Sequence, residues 1–200
     1  MKRGKYMVNM AHRNSTHLLT LINDLLDFSE IDAGNIKIKP KSINIRDEIS
    51  NVTESLDHAA KEKGLELNAY VDPKIDTHIM LDPARLYQIL ANLVNNAIKY
   101  TPKGSVTIKV SLIDNDNQAL IRFEVIDTGI GIPKDNHEKI FEKFYQVDAS
   151  STREFGGAGL GLTICSHLVS AMSGNIDMES SDGKGSRFWF DLPYVIADED

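Results

Sequence analysis

Four glycines, Gly156, Gly157, Gly159 and Gly161, fall within six residues directly ahead of the apolar run from Leu162 to Met172. Glycine lets successive backbone N–H groups turn toward one point, and a helix start adds partial positive charge there. The segment therefore predicts a loop opening a helix to about residue 173, and it reads as a cradle for an anion such as polyphosphate. It is not the phosphate loop that ends in Gly-Lys-Ser/Thr, because Leu160-Gly161-Leu162 stands in that place.

A second glycine turn, Asp127-Thr128-Gly129-Ile130-Gly131-Ile132, follows an alternating segment at 119–127. A carboxylate at a strand end can accept a hydrogen bond from an exocyclic amine, and glycines admit a flat ring close to the backbone. A plain glycine turn has the same letters. The dinucleotide fingerprint needs three glycines and an immediate helix, so it does not fit.

Residues 83–100 predict a helix, opened by Asp82-Pro83 and stopped at Thr101-Pro102. Asn92 and Asn96 are four apart and share a face, with Lys99 close to it. Leu90, Leu93 and Ala97 point elsewhere and suit a core. Amide oxygens can ligate a hard cation such as Mg²⁺ and the ammonium can meet a phosphate; a solvated helix face would show the same spacing.

Around these segments, residues 45–63 predict a helix with Ile45, Ile49, Val52, Leu56 and Ala59 as its apolar stripe, closed by Gly64. Strands are expected at 65–71 and 78–81, a hairpin at 105–113 and 119–127, and a last strand pair at 175–180 and 185–192. Residues 4–31 read as one long helix whose seam is Leu18, Leu21, Leu25 and Phe28, widened by Ile22 and Leu26. One helix cannot bury such a seam alone, so it calls for a partner helix. The polar stretch 133–155, with Lys134, Lys139, Lys143 and Arg153, lies between the two glycine turns. Its length suits either a mobile lid or a disordered insertion.

Composition narrows the classes. A net charge of −7 argues against a nucleic-acid binder, and the single cysteine, Cys165, sits in an apolar run that suggests a buried thiol. No stretch reaches the roughly 18 apolar residues of a membrane helix. The expectation is a cytoplasmic segment without direct membrane contact. The six histidines show no metal-ligand spacing.

Read in order, these segments resemble the histidine-kinase-type ATPase family, which also includes gyrase, Hsp90 and MutL ATPase domains. Residues 86–104 look like its N box and 127–132 like its G1 box. Residues 140–148 resemble the F box, 156–162 the G2 box, and 183–188 the terminal Gly-x-Gly-Ser/Thr-x-Phe signature. Five boxes in order, across roughly 35–193, are far more specific than one. The resemblance implies an α+β fold: a two-layer sandwich of the Bergerat type, with a mixed sheet and helices on one face, preceded by one long N-terminal helix. It implies a partial dimerisation helix at 1–34, a linker strand at 35–44, an ATP-binding domain at 45–194 and an acidic tail at 195–200.

By motif position, Asn92 and Asn96 would hold Mg²⁺, Lys99 the phosphates, and Tyr100 would lie beside the adenine. Asp127 would bind the adenine amine, flanked by Gly129 and Gly131. Gly157, Gly159, Leu160 and Gly161 would cradle phosphates, with Lys143 and Arg153 reaching the γ-phosphate and Ser186 joining the ATP site. Ala158 stands where the G2 box often has threonine. Hydrolysing relatives commonly place glutamate at the first N-box position. Here Asn92 cannot serve as a base, which implies phosphoryl transfer to a protein histidine rather than to water. Residues 17–38 are similar to the second helix and linker of the family's dimerisation and phosphotransfer domain. The family's His-Glu/Asp-x-x-x-Pro acceptor segment does not occur in this sequence, and His12 lacks the acidic neighbour and the proline. The chain is therefore expected to bind ATP·Mg²⁺ without phosphorylating itself. Its implied partners are the dimerisation domain of its own or a sister chain and a response-regulator receiver domain. A non-catalytic nucleotide-binding signalling module and a gyrase- or Hsp90-type ATPase are the alternatives.

Overall fold

The structure, a computed structural model, describes residues 15, 19, 22, 25, 26, 29, 36–115, 118–145 and 159–197. Strand β1 (Lys41–Asn44) leads directly into helix α1 (Ile45–Glu62), whose N-cap Asn44 accepts a hydrogen bond from the Arg46 N–H at 3.0 Å. Gly64 ends α1 with φ 70° and turns the chain into β2 (Leu65–Val71). After β3 (His78–Leu81), Asp82 caps α2 (Pro83–Tyr100) by accepting from the N–H groups of Ala84 and Arg85. The other oxygen of Asp82 accepts from the Lys39 N–H at 2.8 Å, which ties the linker to the start of α2.

Strands β4 (Gly104–Asn115) and β5 (Gln118–Asp127) form the expected hairpin, with strand pairing that extends beyond the expected 105–113 and 119–127 to Asn115 and Gln118. Helix α3 (Gly161–Ala171) then leads to β6 (Asn175–Ser180) and β7 (Ser186–Pro193). The main sheet runs β2-β4-β5-β7-β6; β2 pairs with β4 in parallel and the other neighbours are antiparallel. β1 and β3 form a separate antiparallel pair.

The three helices lie on one sheet face, as expected for a two-layer α+β sandwich. Ile49, Val52, Leu90, Leu93, Ile164 and Val169 from the helices bury against Val106, Ile108, Ile121, Phe123, Val125 and Phe190 from the sheet. Phe123 and Phe190 stack with ring centroids 4.8 Å apart at the centre. Cys165 is buried there too. The apolar stripe of α1 needs one correction: Ala60 is fully buried, whereas Ala59 is exposed. The opposite face is wetter and held by charge. Glu124, 2% exposed, is bridged by Arg187 and by Lys109 at 3.3 Å, and Arg122 grips Asp191 with two bonds of 2.7 Å.

Of the expected helix 4–31, the six described residues are helical, and Leu19, Ile22, Leu25 and Leu26 among them are exposed. The remainder of that expectation, and Leu18, Leu21 and Phe28 of its seam, lie outside the described residues. No described helix is long and apolar enough to cross a membrane.

Candidate functional site

The end of β5, the end of α2 and the start of α3 converge on one cleft. Asp127 closes β5 and is 8% exposed. Its carboxylate accepts from the Gly129 N–H at 2.8 Å, and Ser186, its register partner on β7, adds N–H and hydroxyl contacts. Burial pushes the Asp127 carboxyl above the usual carboxylate range, while the donors from Gly129, Ser186 and Thr101 pull the other way. A carboxylate held this way is an acceptor aimed at a donor.

The glycines around it are there because side chains would not fit. A Cβ on Gly129 would stand 2.5 Å from the Tyr100 carbonyl oxygen, 2.7 Å from Asp127 Oδ1 and 2.9 Å from Thr101 Oγ1. Gly131 (φ 72°) presses on the Ser181 carbonyl and Gly185 (φ 84°) on that of Asp127. Hydrogen bonds lock the turn in place. Ile130 N–H donates to the Tyr100 carbonyl at 3.2 Å, Ile132 N–H to Ser180 Oγ at 2.8 Å, and Gly183 N–H to the Ile130 carbonyl at 2.6 Å. Ser180 Oγ lies 3.0 Å from Ser186 Oγ and donates to the Gly185 carbonyl at 2.8 Å. The last hairpin is thus the floor of the site.

Helix α2 supplies the wall. Its buried side carries Leu86, Leu90, Leu93 and Ala97, which leaves Asn92, Asn96 and Lys99 half-buried on another face. Neither Asn92 nor Asn96 has a side-chain hydrogen bond among the described residues. The Lys99 ammonium lies 4.7 Å from the Tyr100 ring, which is 40% exposed. The carbonyls of Ile98 and Lys99 are capped by Lys63 Nζ at 2.8 and 2.7 Å.

Helix α3 opens toward this wall. A Cβ on Gly161 would lie 3.8 Å from Asn92 Oδ1, so the glycine segment and the amide face meet. Among the described residues the α3 N-terminus has no side-chain cap and no acidic residue in its first turn, so its N–H groups and partial positive charge suit an anion. Gly159 (φ 68°) packs on Phe144 and Tyr145, and the Phe144 N–H donates to the Gly159 carbonyl at 3.2 Å. Thr163 Oγ1 donates to the Phe141 carbonyl at 3.0 Å, so the segment 139–145 is tied to the root of α3. Lys143 on that segment is exposed. Gly157 and Arg153 lie outside the described residues.

Two residues of this site were not among the sequence candidates. Ser180 is hidden at the end of a strand. Thr101 reads in sequence only as the stop of α2, yet its side chain is fully buried beside Asp127. Among the described residues, Thr101 Oγ1 is the one buried side-chain polar atom without a hydrogen bond of regular geometry. Its placement next to a proline was the only available signal.

The described residues contain no His, Cys, Asp or Glu cluster suited to a metal. The polar groups of the wall are amides, which fit a cation only when a ligand brings further oxygens. A cavity of about 550 Å³ lies at the other end of α2, lined by Lys37, Lys39, Lys41, Asp82 and Arg85, and is separate from this cleft.

Comparison with known proteins agrees with the geometry. A family model described as histidine kinase-, DNA gyrase B- and HSP90-like ATPase matches residues 81–196. The signal transduction histidine-protein kinase BarA of Escherichia coli (strain K12) is 39% identical over 186 residues, covering 92% of this chain and 20% of that protein. The hybrid signal transduction histidine kinase L of Dictyostelium discoideum is 43% identical over 185 residues, covering 92% and 11%. The chain thus spans a fifth or less of these two relatives. Among solved structures, full-length ShkA in complex with AMPPNP superposes with a TM-score of 0.84 at 36% identity, covering 98% of this chain and 40% of that one.

Proposed function

This chain belongs to the histidine kinase-, DNA gyrase B- and HSP90-like ATPase family, and from that premise we propose that it is the ATP-binding catalytic region of a two-component sensor histidine kinase. It passes the ATP γ-phosphoryl to a histidine on a dimerisation domain, of its own or a sister chain, for relay to a response-regulator receiver domain. The catalytic domain occupies 45–194, after a partial dimerisation helix at 1–34 and a linker at 35–44, and it works in the cytoplasm.

The observation that carries this reading is the buried Asp127 carboxylate beneath a glycine turn, facing the cleft between α2 and the uncapped start of α3. Asp127 accepts a hydrogen bond from the adenine amine, with Gly129 and Gly131 giving the ring room and Ser186 steadying the carboxylate. Tyr100 lies beside the base. Gly157, Gly159, Leu160 and Gly161 surround the phosphates, Lys99 meets them from α2, and Lys143 and Arg153 reach the γ-phosphate. The paired amides of Asn92 and Asn96 fit a magnesium ion that arrives on the nucleotide, since phosphate oxygens complete the donor set. Magnesium supplies charge neutralisation on the phosphates.

Phosphoryl transfer asks the protein mainly for positioning and charge. Asn92 takes no proton, so no side chain at this position activates water, and the acceptor is the imidazole of another domain.

The test mixes this chain with a dimerisation domain carrying an intact acceptor histidine and γ-labelled ATP. The expected result is acid-labile, base-stable label on the supplied domain. Steady phosphate release without labelled acceptor would identify a hydrolase and refute the kinase reading.

A further inference from the structure

The Thr101 hydroxyl is buried, has no hydrogen bond of regular geometry, lies beside the Asp127 carboxylate, and is unnecessary for the helix end it follows. Pro102 restricts Thr101 to extended backbone, with φ −102° and ψ 108°, and its hydroxyl lies on the same side of Gly129 as the Asp127 carboxylate: a Cβ on Gly129 would stand 2.9 Å from Thr101 Oγ1 and 2.7 Å from Asp127 Oδ1. The last α2 carbonyls have other partners: Lys63 Nζ caps Ile98 and Lys99, and the Ile130 N–H takes that of Tyr100. Valine would fill the same volume without the cost of burying a lone hydroxyl. The hydroxyl of Ser186 has a neighbour in Ser180; that of Thr101 has only Asp127.

We propose that Thr101 is a specificity-determining positioning residue: its hydroxyl donates to the Asp127 carboxylate and holds it as a pure acceptor toward a purine that carries an amine at its six-position. The proposal rests on the reading of this cleft as a nucleotide site. Adenine presents an amine there and guanine a carbonyl. An ionised carboxylate bonds the amine and opposes the carbonyl, whereas a protonated one can donate to the carbonyl. Burial drives Asp127 toward the protonated form. The groups that counter it are the N–H donors of Gly129 and Ser186 and the hydroxyls of Ser186 and Thr101; no charged side chain contributes. Removing the Thr101 donor therefore lets Asp127 take a proton at higher pH and weakens discrimination between the bases.

The test compares wild type with Thr101→Val, Thr101→Ala and Thr101→Ser in the whole chain, titrated with ADP and with GDP at a series of pH values from the ordinary carboxylate range up to neutral, because burial raises the Asp127 carboxyl. Thr101→Val and Thr101→Ala are expected to lose about ten-fold in ADP affinity, one lost hydrogen bond to a charged group. Their ADP-to-GDP preference should narrow, and the acid limb of ADP binding should move to higher pH. Thr101→Ser should restore all three. An unchanged preference and an unchanged acid limb in a folded Thr101→Val or Thr101→Ala protein would reduce Thr101 to packing and overturn the proposal. If wild type bound neither nucleotide, the reading of the cleft would fall first and the role of Thr101 with it.

Discussion

Replacing Asp127 with asparagine keeps the shape of the side chain and removes its charge, which separates what this residue costs the fold from what it gives the ligand. Asp127 is 8% exposed and its carboxyl is raised by burial. The native state thus holds the proton more tightly than the unfolded chain does. As pH climbs from the ordinary carboxylate range through the raised native value, the native state loses relative stability, and above that value a constant deficit remains. Asparagine carries no such deficit, and its amide oxygen can still accept from the Gly129 N–H. The free variant should therefore melt at or above the wild-type temperature at neutral pH. Binding should move the opposite way. A hydrogen bond between an amine and a carboxylate contributes about 1.5–3 kcal/mol, so ADP affinity should fall by roughly 10- to 150-fold. Thermal melts with and without ADP read both effects. At 100 times its dissociation constant a ligand adds about 2.7 kcal/mol, or roughly 5–11 °C in a chain of this size. Wild type should show that rise, and Asp127→Asn at the same ADP concentration should show about half of it at most and about a tenth of it at the larger loss. Unchanged ADP affinity in the variant would refute the assignment of Asp127 to the base. A steep loss of stability in the free variant would mean that the carboxylate holds the fold together, contrary to the reasoning.

Two glycines in the left-handed region should respond differently to alanine. Gly185→Ala drives a Cβ into the Asp127 carbonyl, so it should destabilise by more than the about 1–2 kcal/mol of the backbone conformation and weaken nucleotide binding, whereas Gly64→Ala meets no atom within 4 Å and should cost only that conformational amount and leave ADP affinity intact; urea unfolding and ADP titration check both. On the far face of the sheet, Glu124→Ala removes the shared partner of Arg187 and Lys109. Both cations are partly exposed and can rehydrate, so denaturant unfolding should show a loss of about 1–3 kcal/mol with ADP affinity unchanged.

Much of the architecture was legible because it rests on local periodicity. Helix α2 has the predicted limits, and its Asp82-Pro83 start works as read, with the carboxylate bonding Ala84 and Arg85. The hairpin β4–β5 follows from alternation alone. Pairings between distant segments were not legible: the parallel contact of β2 with β4 and the separate β1–β3 pair depend on register that no local pattern encodes. The choice between Ala59 and Ala60 shows a finer limit. At about 100° per residue, each lies about 50° from the centre of the stripe set by Ile45, Ile49, Val52 and Leu56. The pattern is a tie there, and packing breaks it in favour of Ala60. In the site, Asp127, Asn92 and Gly161 announced themselves by residue type and spacing. Thr101 did not, because a threonine before a proline reads as a helix stop, and its burial appears only when the G1 turn folds back onto the end of α2.

Calorimetric titration of the chain with a non-hydrolysable ATP analogue, in magnesium and again in a chelator, addresses the cleft itself. One saturable site per chain, weakened when magnesium is withdrawn and weakened about ten-fold or more in Asp127→Asn, is the predicted result. No heat of binding in magnesium, or binding indifferent to Asp127, would mean that the α2 face, the G1 turn and the start of α3 do not close around a nucleotide.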